Sequence, residues 1–108
     1  MDITVLSERL GLEEDEFLEL VELFVETGAS DLDQLEVAVQ EKNVEEVVKS
    51  SHSIKGASGN LGFTEIFEAA KAVELNARQN SLDGATEAVD AIKEHLDRIA
   101  KKISGQTG

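Results

Sequence analysis

From Ala85 to Ile103 the apolar residues Ala85, Val89, Ile92, Leu96, Ile99 and Ile103 fall at alternating steps of four and three. A helix of 3.6 residues per turn gathers such positions onto one stripe, which must then be buried against a partner. The same spacing recurs three more times. Phe17, Leu20, Val21, Phe24, Gly28, Leu32, Leu35 and Val39 form one stripe, with a bend predicted near Gly28. Val44, Val47, Ser51, Ile54, Ser58 and Leu61 form a second, and Phe63, Ile66, Ala70, Val73 and Ala77 a third. Ile3, Leu6 and Leu10 predict a short leading helix behind Asp2 as N-cap, ending near Gly11.

Breaks between the stripes are brief. The acidic "EEDE" suits the start of the first long helix, Asn43 with Glu46 resembles a capping box, Gly62 closes the second, "RQNS" ends the third and Ser81 is placed to cap the fourth. Short connections join antiparallel neighbours. The predicted fold is therefore all-α, an antiparallel up-down four-helix bundle with a short additional N-terminal helix, over residues 1–103, followed by a flexible tail at 104–108. There is no proline to interrupt any helix, and 108 residues suffice for one core.

Charge narrows the function classes. Ten Lys and Arg stand against 23 Asp and Glu, a net charge of -13. Nucleic acid and anionic membrane surfaces are excluded as partners, since phosphate backbones require a basic patch. Without cysteine there is no disulfide, thiol catalysis or thiolate metal site. The acidic runs "EEDE" and "EKNVEE" lack a histidine at ligand spacing, so no metal site is expected. "MDITVLSERLG" is no signal peptide, and no apolar run approaches the roughly 20 residues of a membrane span. The expected location is the cytoplasm.

One segment breaks the helical economy. "SSHSIKGASGNLGF", Ser50 to Phe63, keeps Gly56 and Gly59 inside a helix, where each costs about 1 kcal/mol relative to alanine. At about 100° per residue, the core face runs through Val47, Ile54, Ser58 and Leu61, which turns His52 to water. Val48, Lys55, Gly56 and Gly59 lie on the histidine's side, one or two turns away. Bare backbone beside an exposed imidazole lets a partner surface come close. A neutral imidazole is a nucleophile, and Lys49 and Lys55, three residues to either side, can bracket a phosphoryl group. Ser58 points inward and satisfies the backbone. His95 has no neighbouring glycine and is read as a boundary residue.

The stretch "HSIKGASGNLGF" resembles the signature of histidine phosphotransfer (HPt) domains: His, any residue, Leu or Ile, Lys and Gly, then small residues and a Leu-Gly pair. His52, Ile54, Lys55, Gly56, Ala57, Ser58, Leu61 and Gly62 all match. The resemblance implies a four-helix bundle with the motif on its second long helix. It implies that Nε2 of His52 carries the phosphoryl group between receiver-domain aspartates, with Lys55 steadying it and Gly56 and Gly59 admitting the receiver. Lys49 and Val48 lie outside the signature, and their partner-binding roles rest on spacing alone. Receivers would bring magnesium and the acceptor aspartate, so the bundle itself needs no cofactor and has no kinase activity of its own. Response-regulator receivers are the expected partners, with a hybrid histidine kinase a further candidate, and the expected state is a monomer. Two alternatives stand beside this reading: the phosphorylated N-terminal domain of a chemotaxis-type histidine kinase, and a non-catalytic acidic helical adaptor. Met1 and the compact length favour a separate protein.

Overall fold

A computed structural model describes residues 2–107, the last two by backbone only. Five helices follow one another: α1 (Ile3–Arg9), α2 (Glu14–Gln40), α3 (Val44–Leu61), α4 (Thr64–Arg78) and α5 (Ala85–Thr107). The four long helices form a ring in which each packs on the two beside it, and α1 lies against α2. Their antiparallel sense is fixed by cross-contacts. The hydroxyl of Ser53 donates to Asp31 at 2.7 Å, while Phe24 and Phe63 meet with ring centroids 5.2 Å apart, so α3 runs back along α2. Between α4 and α5, Glu65 reaches His95 and Asn76 reaches the backbone of Asp83, again in opposite order.

The stripes read from the sequence make the core. Phe17, Val21 and Leu35 of α2, Val47 and Ile54 of α3, Ile66 and Ala70 of α4 and Ile92 of α5 are all but inaccessible. Burial of side chains of the larger kind contributes about 1.5–3 kcal/mol each. Two positions depart from the expected stripe on α2: Leu20 is 42% exposed, and Ala38 is buried where Val39 is only partly so. Leu20 sits at the margin of the apolar arc, where a helix with two neighbours in a ring leaves its flank to water. Gly28 is buried beneath Leu96, whose Cδ1 would lie 3.5 Å from an added Cβ, and α2 continues as one helix through this point.

Helix ends follow local chemistry. Asp2 accepts from the backbone N–H of Val5, and Asn43 from that of Glu46. The capping box at Asn43 is half formed, because the Glu46 carboxylate instead accepts from the Ser50 hydroxyl at 3.4 Å. Ser81 does not cap α5. Its hydroxyl accepts from Asp83 N–H within the connecting turn, and α5 begins after Gly84 at φ 76°. At its far end α5 runs to Thr107, beyond the last apolar position, Ile103, since Ser104 and Gly105 propagate the backbone ladder without a break. Gly108, the end of the expected tail, lies outside the described residues, as does Met1.

The turn between α3 and α4 sets the site. Gly62 is left-handed at φ 82°, and Phe63 N–H donates to Ser58 carbonyl at 2.9 Å, closing α3 within a single residue. Leu6 of α1 covers this turn, with Cδ2 3.2 Å from where a Cβ would stand. Thr64 starts α4 at once, so the two helices lie side by side in a fixed register. Among the described residues no helix is long and apolar enough to cross a membrane.

Candidate functional site

His52 stands on the outer face of α3, its side chain 62% exposed, as its phase requires. Its Nδ1 lies 2.8 Å from Oε2 of Glu74, a residue of α4 whose side chain is only 3% exposed. Nε2 has no hydrogen-bond partner among the described residues. With Glu74 ionised and accepting, the proton belongs on Nδ1, and the lone pair of neutral imidazole belongs on Nε2, away from the carboxylate.

Glu74 is a buried anion with three donors. Nζ of Lys55 lies 2.7 Å from Oε1, and Nη2 of Arg78 lies 2.7 Å from Oε2, beside the histidine. Burial by itself would push the carboxyl up. Hydrogen bonds from Lys55, Arg78 and His52, with the charge of Lys55, outweigh it and hold the group at about 2. The carboxylate is therefore charged throughout the physiological range.

Lys55 differs from its expected setting. Phase alone makes it an exposed lysine of small structural consequence, yet its side chain is 27% exposed and paired to a buried acid. One of its three N–H donors serves Glu74, and two remain for a group arriving at His52.

The two glycines part company. A Cβ on Gly56 would meet nothing within 4 Å, so this position is open surface. A Cβ on Gly59 would stand 3.1 Å from Cδ2 of Phe67, so Gly59, although exposed, also lets the Phe67 ring of α4 lie close to α3. Gly56→Ala is expected to stabilise the bundle by about 1 kcal/mol through helix propensity, while Gly59→Ala gains less or nothing because the ring must move. Urea denaturation of both variants measures this, and an equal gain in the two would remove the distinction. A groove of about 510 Å³ bounded by Lys55, Gly56, Gly59 and Phe67 lies on one side of this face. A second, of about 470 Å³, is lined by Val44, Val48, Lys49, Ala77 and Arg78. Lys49 is exposed there, whereas Val48 is partly buried against the core and has a packing role.

Ser58 is buried, with its hydroxyl 2.7 Å from the Ile54 carbonyl, as its phase implies. His95 sits at the α4–α5 boundary with Nδ1 3.3 Å from Glu65. Among the described residues no three His, Asp or Glu side chains gather as a metal site.

Sequence reasoning missed Glu74 and Arg78, although a signal was present. Ala70, Val73 and Ala77 define the buried face of α4, and position 74 lies four residues after the first and three before the last. A carboxylate inside an apolar stripe demands partners, and Arg78 stands one turn later on the same side of the helix.

A sequence model of the Hpt domain matches residues 19–102. The chain belongs to the Hpt-domain family. Over 69 residues it is 35% identical to the phosphorelay intermediate protein YPD1 of Candida albicans (strain SC5314 / ATCC MYA-2876), which is 61% of this chain but only 38% of that protein. In fold it is similar to the crystal structure of histidine-containing phosphotransfer protein B (HptB) from Pseudomonas aeruginosa PAO1. That likeness has a TM-score of 0.84, 24% identity, and covers 98% of this chain and 92% of the other. This Hpt domain therefore has both the family's motif and its helical bundle.

Proposed function

We propose that this chain is a histidine phosphotransfer protein of a two-component phosphorelay, carrying a phosphoryl group on Nε2 of His52 between the aspartates of receiver domains. The observation that carries the reading is the bond from Nδ1 of an exposed His52 to a buried, ionised Glu74. It directs the reactive lone pair outward and holds the ring at the surface where a partner arrives.

The Nε2 lone pair attacks phosphorus in the receiver's aspartyl phosphate. An N–P bond forms as the P–O bond to the aspartate breaks, and the carboxylate leaves with that electron pair. The Nδ1 proton stays shared with Glu74, whose negative charge offsets the positive charge the ring acquires. Lys55 keeps one donor on Glu74 and offers the others to the phosphoryl oxygens. Transfer onward is the reverse sequence. Open backbone at Gly56 and Gly59 and the grooves on either side provide the approach for a receiver, with Lys49 at the rim.

The test is incubation with a receiver domain phosphorylated on aspartate. The chain is expected to gain one acid-labile, alkali-stable phosphoryl group, mapped to His52 by mass spectrometry. Absence of labelling by every receiver of the same organism would overturn the proposal. On the same reading, Gly56→Arg weakens receiver binding at least about tenfold, because a side chain then fills the approach surface.

A further inference from the structure

Oε2 of Glu74 serves more donors than its histidine. It lies 2.8 Å from Nδ1 of His52, 2.7 Å from Nη2 of Arg78 and 3.3 Å from Nε of Arg78, while Lys55 takes Oε1. A carboxylate oxygen offers about two lone pairs, so the imidazole and the guanidinium share them. Phosphotransfer as derived above uses the His52–Glu74 bond and leaves Arg78 without a task.

A carboxylate alone at this distance would be a hazard to the nucleophile. It stabilises the imidazolium, whose two nitrogens are both protonated and have no lone pair for phosphorus. We infer that Arg78 is a positioning residue that offsets the charge of Glu74 at Oε2, so that this carboxylate orients the His52 ring without favouring its imidazolium form. The inference rests on the phosphotransfer reading of His52.

Lys55 and Arg78 both offset Glu74, but only Arg78 does so at Oε2, the oxygen bonded to the imidazole. From α4, Glu74 and Arg78 face the ring; from α3, Lys55 and the exposed Lys49 flank it. On α2, Asp31 is engaged by the Ser53 hydroxyl at 2.7 Å. Lys71, one turn before Glu74, lies over the Phe67 ring with Nζ 5.9 Å from its centroid. Glu74, Lys55 and Arg78 together carry one net positive charge, and without Arg78 they carry none. A guanidinium suits the position because its fork presents two N–H groups to one oxygen while half its surface stays in water. Arg78 also ends α4, where any cation is favoured by the helix dipole, so loss of stability alone would not identify the role.

Two measurements on wild type, Arg78→Gln and Arg78→Lys decide it. One is an NMR titration of the His52 ring nitrogens, which needs no partner. The other is the rate of phosphoryl acceptance from a phosphorylated receiver between about pH 5.5 and 9. In Arg78→Gln both the ring titration and the acid limb of the rate move to higher pH by roughly one pH unit. Acceptance is then roughly fivefold to tenfold slower below about pH 6.5 and returns to the wild-type rate in alkali. Arg78→Lys keeps the charge and stays within about threefold of wild type. An Arg78→Gln ring that titrates with wild type would overturn the inference, whatever happens to the rate. If the titration moves as expected but wild type accepts no phosphoryl group, the failure falls on the phosphotransfer reading and the electrostatic coupling stands.

Discussion

With His52 replaced by glutamine, a phosphorylated receiver leaves no acid-labile, alkali-stable phosphoryl group on the chain. The glutamine side chain is similar in reach but its amide nitrogen has no available lone pair, so acceptance falls by on the order of 10³-fold or more. Stability changes by less than about 1 kcal/mol, because the ring is largely in water and Glu74 retains Lys55 and Arg78. The contrast between lost transfer and kept fold is what separates a phosphocarrier from an acidic helical adaptor. Equal labelling of His52→Gln and wild type would place the phosphoryl group elsewhere and remove the basis of the mechanism.

The other large effect is the dependence of stability on pH. Glu74 is held at about 2 in the folded chain against 4.5 for the free side chain. Its folded value is depressed, so the contribution is fully present above about 4.5 and is lost as pH falls from there towards 2. The separation corresponds to at most about 3 kcal/mol, and the exposure of His52 and Arg78 to water reduces it. Glu74→Gln keeps the shape but loses the charge, and the carboxamide N–H₂ meets donors where the carboxylate accepted. At neutral pH this variant is expected to be about 1–3 kcal/mol less stable than wild type, with most of the gap closed near pH 2.5. Urea denaturation of both proteins at the two pH values checks this. A gap of the same size at both would show that the charge of Glu74 contributes little.

Periodicity made the bundle legible because each helix has one dominant apolar stripe, and Phe17, Ile54, Ala70 and Ile92 all occupy the positions their spacing assigns. Helix starts were less legible. Ser81 has the right chemistry for an N-cap, but Gly84 permits the left-handed backbone that delays α5 until Ala85, and spacing does not register that choice. Within the site, the motif residues share one helix, so phase alone put His52, Lys55 and Gly56 on one face. Glu74 and Arg78 come from the next helix, and a pattern confined to α3 has no information about which residue of α4 stands opposite. The same limit applies to Gly59. Its place on the polar face was visible in the sequence, whereas the ring of Phe67 lying against it belongs to the other helix.

Every side chain bonded in the site lies between His52 and Arg78, on two helices joined by Gly62 and Phe63. That arrangement makes chain length a functional property. One residue inserted between Thr64 and Glu74 would turn the carboxylate by about 100° and carry it about 1.5 Å along α4 relative to the turn. His52 would then lose its partner although no residue of the site had been altered. The connections at 41–43 and 79–84 lie outside this interval and are free to differ in length. Related chains that share the His52–Glu74 pair should therefore show constant spacing between its two members and keep their insertions for the loops on either side.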